Sequence, residues 1–148
     1  MKEFEIIVLG LGAMGSSALY QFAKRGADVL GIDQFSPPHV HGSTHGDTRI
    51  TRLAIGEGEE YVPLAMRSHE IWPEVERESG KQLKFTTGGL IISSETKGGS
   101  LHVENFFGKT VAAAEKFGIE HEVLRADDIR TRFPQFNVVL ELHENVLV

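Results

Sequence analysis

The stretch Ile6-Ile7-Val8-Leu9-Gly10-Leu11-Gly12-Ala13-Met14-Gly15 decides the fold of this 148-residue chain. Apolar residues ending at a glycine predict a short parallel strand over residues 4–9, covered on both faces. Residues 13–25 then predict a helix: Met14, Ala18 and Phe22 recur at i, i+4 and i+8, and Leu19 and Ala23 widen that stripe. Gly26 stands where a helix commonly stops, after Lys24 and Arg25, whose charge suits the C-terminal end of the dipole. A second buried strand over 28–32 ends at Asp33. Strand, glycine turn, helix and strand make a βαβ unit with a right-handed crossover.

Each glycine has its own task there. Gly10 permits the tight turn out of the strand. Gly12 lets backbone approach a pyrophosphate with no Cβ in the way, and Gly15 lets helix and strand pack closely. The helix-start amides around Ala13 and Met14 then bind phosphate oxygens, helped by the dipole. Asp33 follows Gly15 by eighteen positions. Its carboxylate suits a free ribose 2′-hydroxyl and repels a 2′-phosphate, which selects FAD or NAD over NADP.

Bulk composition narrows the setting. Hydrophobic residues make up 41% and charged residues 24%, values of an ordinary globular chain long enough to bury a core. The net charge of -6 argues against nucleic acid or an anionic membrane surface as partner. There is no cysteine, hence no disulfide framework or thiol nucleophile. The acidic-flanked N-terminus lacks the basic start of a signal peptide, and no apolar run reaches the ~18 residues of a spanning helix. A cytoplasmic enzyme is the expectation.

Past Asp33, residues 34–46 read as a loop rich in Pro, His, Gly and Ser. Asp47 is placed to cap a short helix over 48–54. Further helices are expected over 64–78, 101–117 and 126–133, and a kinked strand over 85–93 around Gly88-Gly89. A turn at 96–100, a short strand from His121 and a terminal hairpin of 138–142 with 145–148 complete the pattern. Apolar residues run to Val148 without a polar cap, which reads as a strand cut mid-pattern and an N-terminal piece of a longer chain.

The loop carries two candidate sites. His39, His41 and His45 have an H-x-H-x3-H spacing, but no neighbouring carboxylate or thiolate completes a tetrahedral set. Solvent-facing loop histidines without metal are the expectation. Arg49 and Arg52 are three apart and would share a helix face. Either they form a surface pair balanced by Glu57, Glu59 and Glu60, or they form an anion site beside a flavin ring. In the second reading fixed cations ease flavin reduction and a guanidinium clamps a substrate carboxylate.

The run PPHVHGSTHGDTRITRLAIGEGEEYVPLAMRSHEIW (37–72), continued by TTGGLII (86–92), resembles the N-terminal signature of the monomeric sarcosine oxidase and N-methyltryptophan oxidase family. The likeness covers most of residues 5 to 136. It implies a Rossmann-like FAD-binding fold of the glutathione-reductase type, with residues 1–82 as FAD-binding segment. Residues 83–148 would then begin a mixed-sheet substrate domain with its connecting helices. It also implies a monomer that oxidises a secondary amine, such as an N-methyl amino acid, to the imine while oxygen becomes hydrogen peroxide.

By the same resemblance Gly10, Gly12, Gly15 and Asp33 match ADP-binding positions. Ser43, Thr48 and Arg49 match the loop running beside the flavin. His45 and Arg49 match active-site residues near the ring, and Arg52 matches the arginine that holds the substrate carboxylate. Thr44 stands where the family often has a second histidine. Family members are more than twice as long, and their flavin-linking cysteine and two functional lysines have no counterpart here. Two alternatives stand beside this reading: the Rossmann segment of an NAD-dependent dehydrogenase, and a truncated nucleotide-binding fragment without turnover.

Overall fold

The computed structural model describes residues 2–92 and 104–136, together with the backbone of 144–147. Two compact units divide the chain, Met1–Ile50 and Thr51–Val148.

In the first unit, β1 (Ile6–Leu9), α1 (Ala13–Lys24) and β2 (Val29–Ile32) follow the predicted order within a residue or two. β1 and β2 pair in parallel, with Ile6 opposite Val29 and Leu9 opposite Ile32. Glycine allows α1 to lie close to the sheet. A Cβ on Gly15 would stand 1.7 Å from the Gly10 carbonyl oxygen, and one on Gly31 would meet Leu19 at 2.7 Å. The sheet has only these two strands among the described residues. Ile7 and Leu9 are consequently 60% and 83% exposed, against the expectation of strands covered on both faces.

In the second unit a 3-10 turn (Glu59–Tyr61) leads into α2 (Val62–Ser79), which starts two residues earlier than predicted because Pro63 suits the first turn. Gly80, with φ +67°, ends it. Glu76 then fastens the chain that follows: its Oε1 accepts the Leu83 and Lys84 N–H groups at 2.7 and 2.8 Å. The Lys84 donor first, then Leu83, holds the Glu76 carboxyl below its ordinary value.

A three-stranded antiparallel sheet has the order β3 (Leu90–Ile92), β5 (Glu144–Leu147), β4 (Glu122–Arg125). The strand expected over 85–93 is thus shorter, because Gly88 adopts φ +67° and residues 85–89 stay irregular. α3 (Phe106–Phe117) begins later than predicted. Glu104 and Asn105 form a turn, with Asn105 at φ 54°. α4 (Ala126–Arg132) follows β4 directly, and Asp128 accepts the Arg125 N–H at its entry. The turn expected at 96–100, the first residues of the 101–117 helix and the 138–142 arm of the hairpin lie outside the described residues. The other arm falls on β5, which pairs with both β3 and β4.

Two small cores hold this unit. Ala54, Val62, Ala113, Ala114 and Ile119 form one, and Leu124, Ala126 and Ile129 the other. Gly56 lets the loop approach α3: a Cβ there would sit 2.4 Å from Thr110 Oγ1. No helix among the described residues is long and apolar enough to cross a membrane.

Candidate functional site

Residues at the C-terminal ends of β1 and β2 converge on the glycine turn, as an open parallel sheet requires of its ligand crevice. Gly10 has φ +89°, a conformation that favours glycine, and its N–H donates to the Ile32 carbonyl at 2.7 Å. A Cβ on Gly12 would meet nothing within 4 Å. The space in front of Gly12 is therefore open, while that behind Gly15 is full. No side chain caps the entry of α1, so the first-turn amides, those of Ala13 and Met14 included, keep their donor capacity for an anion. A pyrophosphate fits this cradle.

Asp33 lies beside it. Its Oδ2 accepts the Leu11 N–H at 2.6 Å, and its Oδ1 accepts the Phe35 N–H at 2.9 Å. These two donors, Leu11 foremost, bring its carboxyl from the ordinary 3.8 to about 2. An acceptor that is ionised at neutral pH therefore stands at the tip of β2.

A cavity of about 350 Å³ opens here, lined by Leu9, Gly10, Asp33, Phe35, His39 and His41. Phe35 and His41 stack with centroids 4.0 Å apart and planes at 28°, and Phe35 meets His39 edge-on at 5.3 Å. His39 departs from the solvent-facing role expected of it. Its side chain is 14% exposed, and its Nε2 lies 3.3 Å from Asp33 Oδ1. Sequence reasoning missed Phe35 and His39 as site residues. The available signal was their nearness to Asp33 in the chain, but no periodic pattern turns a loop histidine inward.

The basic loop follows a different plan from the one predicted. Residues 48–54 form no helix. Thr48, Ile50 and Thr51 are β-branched, and seven residues make too short a helix to stand without strong packing. Asp47 accordingly caps nothing, and Arg49 and Arg52 share no helix face. The Arg49 guanidinium instead turns back on its own loop. Its Nε donates to the Thr44 carbonyl at 3.2 Å, and Nη2 donates to those of Ser43, at 3.4 Å, and His45. Arg49 thereby organises the segment that carries Ser43, His45 and Thr48. Arg52 belongs to the second unit, where it pairs with Glu57 at 2.5 Å and lies over the Phe106 ring at 5.7 Å. Of the predicted acidic partners, Glu57 meets Arg52, whereas Glu59 pairs with Lys116 at 2.8 Å. Among the described residues, no cluster of three metal-ligating side chains could hold an ion.

Comparison with known proteins places the chain in a family. The model of the FAD dependent oxidoreductase family matches residues 5–146. The chain is 43% identical to the monomeric sarcosine oxidase of Bacillus sp. (strain B-0618), over 98% of its own length and 37% of that protein's. It is 35% identical to the N-methyl-L-tryptophan oxidase of Escherichia coli (strain K12), over 92% and 35% of the two lengths. NikD, an unusual amino acid oxidase essential for nikkomycin biosynthesis, superposes in its open form with a TM-score of 0.75 at 26% identity. That superposition covers 99% of this chain and 36% of NikD. The chain thus spans little more than a third of the proteins it resembles. With its parallel βαβ start, its open glycine cradle and a family match over nearly all its residues, the chain belongs to the FAD-dependent oxidoreductase (DAO) superfamily and is related to the sarcosine and N-methyltryptophan oxidases.

Proposed function

We propose that this chain carries the ADP-binding part of an FAD-dependent oxidase acting on a secondary amine, such as an N-methyl amino acid. In this reading residues 1–82 are the FAD-binding segment, of the glutathione-reductase type. Residues 83–148 begin a mixed-sheet substrate domain, and the enzyme is monomeric and cytoplasmic. The observation that carries the reading is the ionised Asp33 carboxylate held beside an unobstructed Gly12. An anionic acceptor next to a pyrophosphate cradle recognises a dinucleotide with a free ribose hydroxyl. The FAD dependence of the family favours FAD over NAD.

Gly10, Gly12, Ala13, Met14, Gly15 and Asp33 would hold the ADP moiety, and Ser43, Thr48 and Arg49 the loop beside the flavin. His45 and Arg49 would stabilise negative charge near the ring, an electrostatic role for groups already fixed in place. Arg52 would take the substrate carboxylate, trading its contact with Glu57 for a bidentate one. Bound FAD supplies the two-electron acceptor for oxidation of the amine to an imine, and oxygen would take up those electrons as hydrogen peroxide. Among these residues none is a strong general base, and an unprotonated amine requires none.

Titrating the purified chain with FAD and NAD, followed by flavin fluorescence and calorimetry, tests the cofactor. FAD is expected to bind and NAD to bind far more weakly; the opposite order would favour the dehydrogenase reading. A peroxide assay with sarcosine tests the chemistry, with little or no turnover expected from this chain alone.

A further inference from the structure

The Asp33 carboxylate has about four lone-pair sites. Oδ2 gives one to Leu11 N–H, and Oδ1 gives one to Phe35 N–H. His39 Nε2 faces Oδ1 from 3.3 Å, within ion-pair reach but outside hydrogen-bond alignment. It is a buried side-chain nitrogen with no hydrogen-bond partner among the described residues. The other ring nitrogen is committed, because Nδ1 accepts the His41 N–H at 3.3 Å. With Nδ1 as acceptor, the ring proton sits on Nε2, the atom nearest Asp33 Oδ1. The stacked Phe35 and His41 rings lie against that ring, at centroid distances of 5.3 and 5.6 Å.

We infer that His39 is a positioning residue for nucleotide binding: its Nε2, 3.3 Å from Asp33 Oδ1, covers that oxygen, so that a ribose 2′-hydroxyl is accepted through Oδ2 alone. The inference rests on the ADP-binding reading above. It adds that discrimination for the hydroxyl depends on a residue that need not touch the nucleotide. Without the Nε2–H, the Leu11 and Phe35 N–H groups still hold the carboxylate, but Oδ1 is uncovered and water competes with the nucleotide there. Affinity for the hydroxyl then falls, while affinity for the pyrophosphate does not.

The test compares ADP with 2′-deoxy-ADP by calorimetry on the full chain. The unmodified chain should prefer ADP by on the order of tenfold, the scale of one good hydrogen bond to a charged acceptor. His39→Phe keeps an aromatic ring against Phe35 but removes both nitrogens; it should reduce the preference toward unity and leave 2′-deoxy-ADP binding unchanged. His39→Gln, which can return an N–H to Oδ1, should restore part of it. Full preference in His39→Phe, or equal losses for both nucleotides, would overturn the inference. Asp33→Asn separates the two levels. If it retains the preference, or if the unmodified chain shows none, the ADP-site reading fails and His39 loses its role with it. Should His39→Phe not fold, long-range proton–nitrogen spectra of the unmodified chain decide: the proton is expected on Nε2, and a proton on Nδ1 alone would overturn the inference.

Discussion

Asp33 ties the exit of β2 to the glycine turn through the Leu11 N–H, which its Oδ2 accepts at 2.6 Å across a separation of 22 residues. One carboxylate thus closes the βαβ unit and, under the proposed function, would offer the nucleotide its acceptor. Because the folded chain holds this carboxyl at about 2 against an ordinary 3.8, the ionised form favours folding. Its contribution is complete above 3.8 and shrinks as pH falls through the folded value near 2. Denaturant midpoints of the native chain should fall toward those of Asp33→Asn over that interval. Parallel curves would show that the carboxylate is not stabilised by folding.

Gly12 and Gly15 stand in opposite surroundings, one facing open space and the other packed against the Gly10 carbonyl. In Gly15→Ala the new methyl meets the Gly10 carbonyl, and the loss should reach at least the ~1–3 kcal/mol typical of overpacking. In Gly12→Ala the methyl enters open space at φ -68°, so stability should change by no more than about 0.5 kcal/mol. Nucleotide affinity should nevertheless collapse in Gly12→Ala, because that open space is where the pyrophosphate would lie. Thermal melts beside ADP titrations give both readouts.

His69 predicts a second pH dependence, in the second unit. Its Nε2 lies 3.2 Å from Thr51 Oγ1 and its Nδ1 3.5 Å from Lys84 Nζ. Partial burial first, then the Lys84 charge, lowers its pKa below 6.5. The folded chain thus prefers the neutral ring. This contribution is present above 6.5 and is lost as pH drops below that value toward the folded one. Chemical denaturation from neutral to mildly acidic pH should show a slope that His69→Gln flattens.

Arg49→Lys should loosen the loop without unfolding the unit. A single ammonium cannot span the carbonyls of Ser43, Thr44 and His45 that the guanidinium reaches. Amide exchange across residues 43–48 should quicken by on the order of tenfold, and exchange in β1 and β2 should stay unchanged. Uniform acceleration throughout the first unit would contradict this.

Sequence revealed the elements whose determinants are local. Gly10, Gly12 and Gly15 dictate a turn and a close helix approach whatever surrounds them, and the 3.6-residue stripe of α1 does the rest. Arg49 and Arg52 were identifiable as notable cations, but their partners were not. A helix over 48–54 satisfied the spacing rule, whereas Arg49 found its donors' targets in the carbonyls of the preceding loop, which no periodicity encodes. His39 escaped for a similar reason: its burial depends on how residues 33–41 fold back over Phe35. In the second unit, β5 was recognisable as a strand but not its partners, since pairing with both β3 and β4 is a long-range event.

The exposed Ile7 and Leu9 side chains have a consequence for solubility. A two-stranded sheet with an apolar face attracts other apolar surfaces, and the net charge of -6 opposes their approach. Salt weakens that repulsion, with a screening length of about 10 Å at 0.1 M and 3 Å at 1 M, and leaves the apolar attraction intact. Solubility should therefore fall, and binding of a hydrophobic dye should compete with self-association, as ionic strength rises. Dilute, low-salt buffer is the condition in which the nucleotide measurements belong.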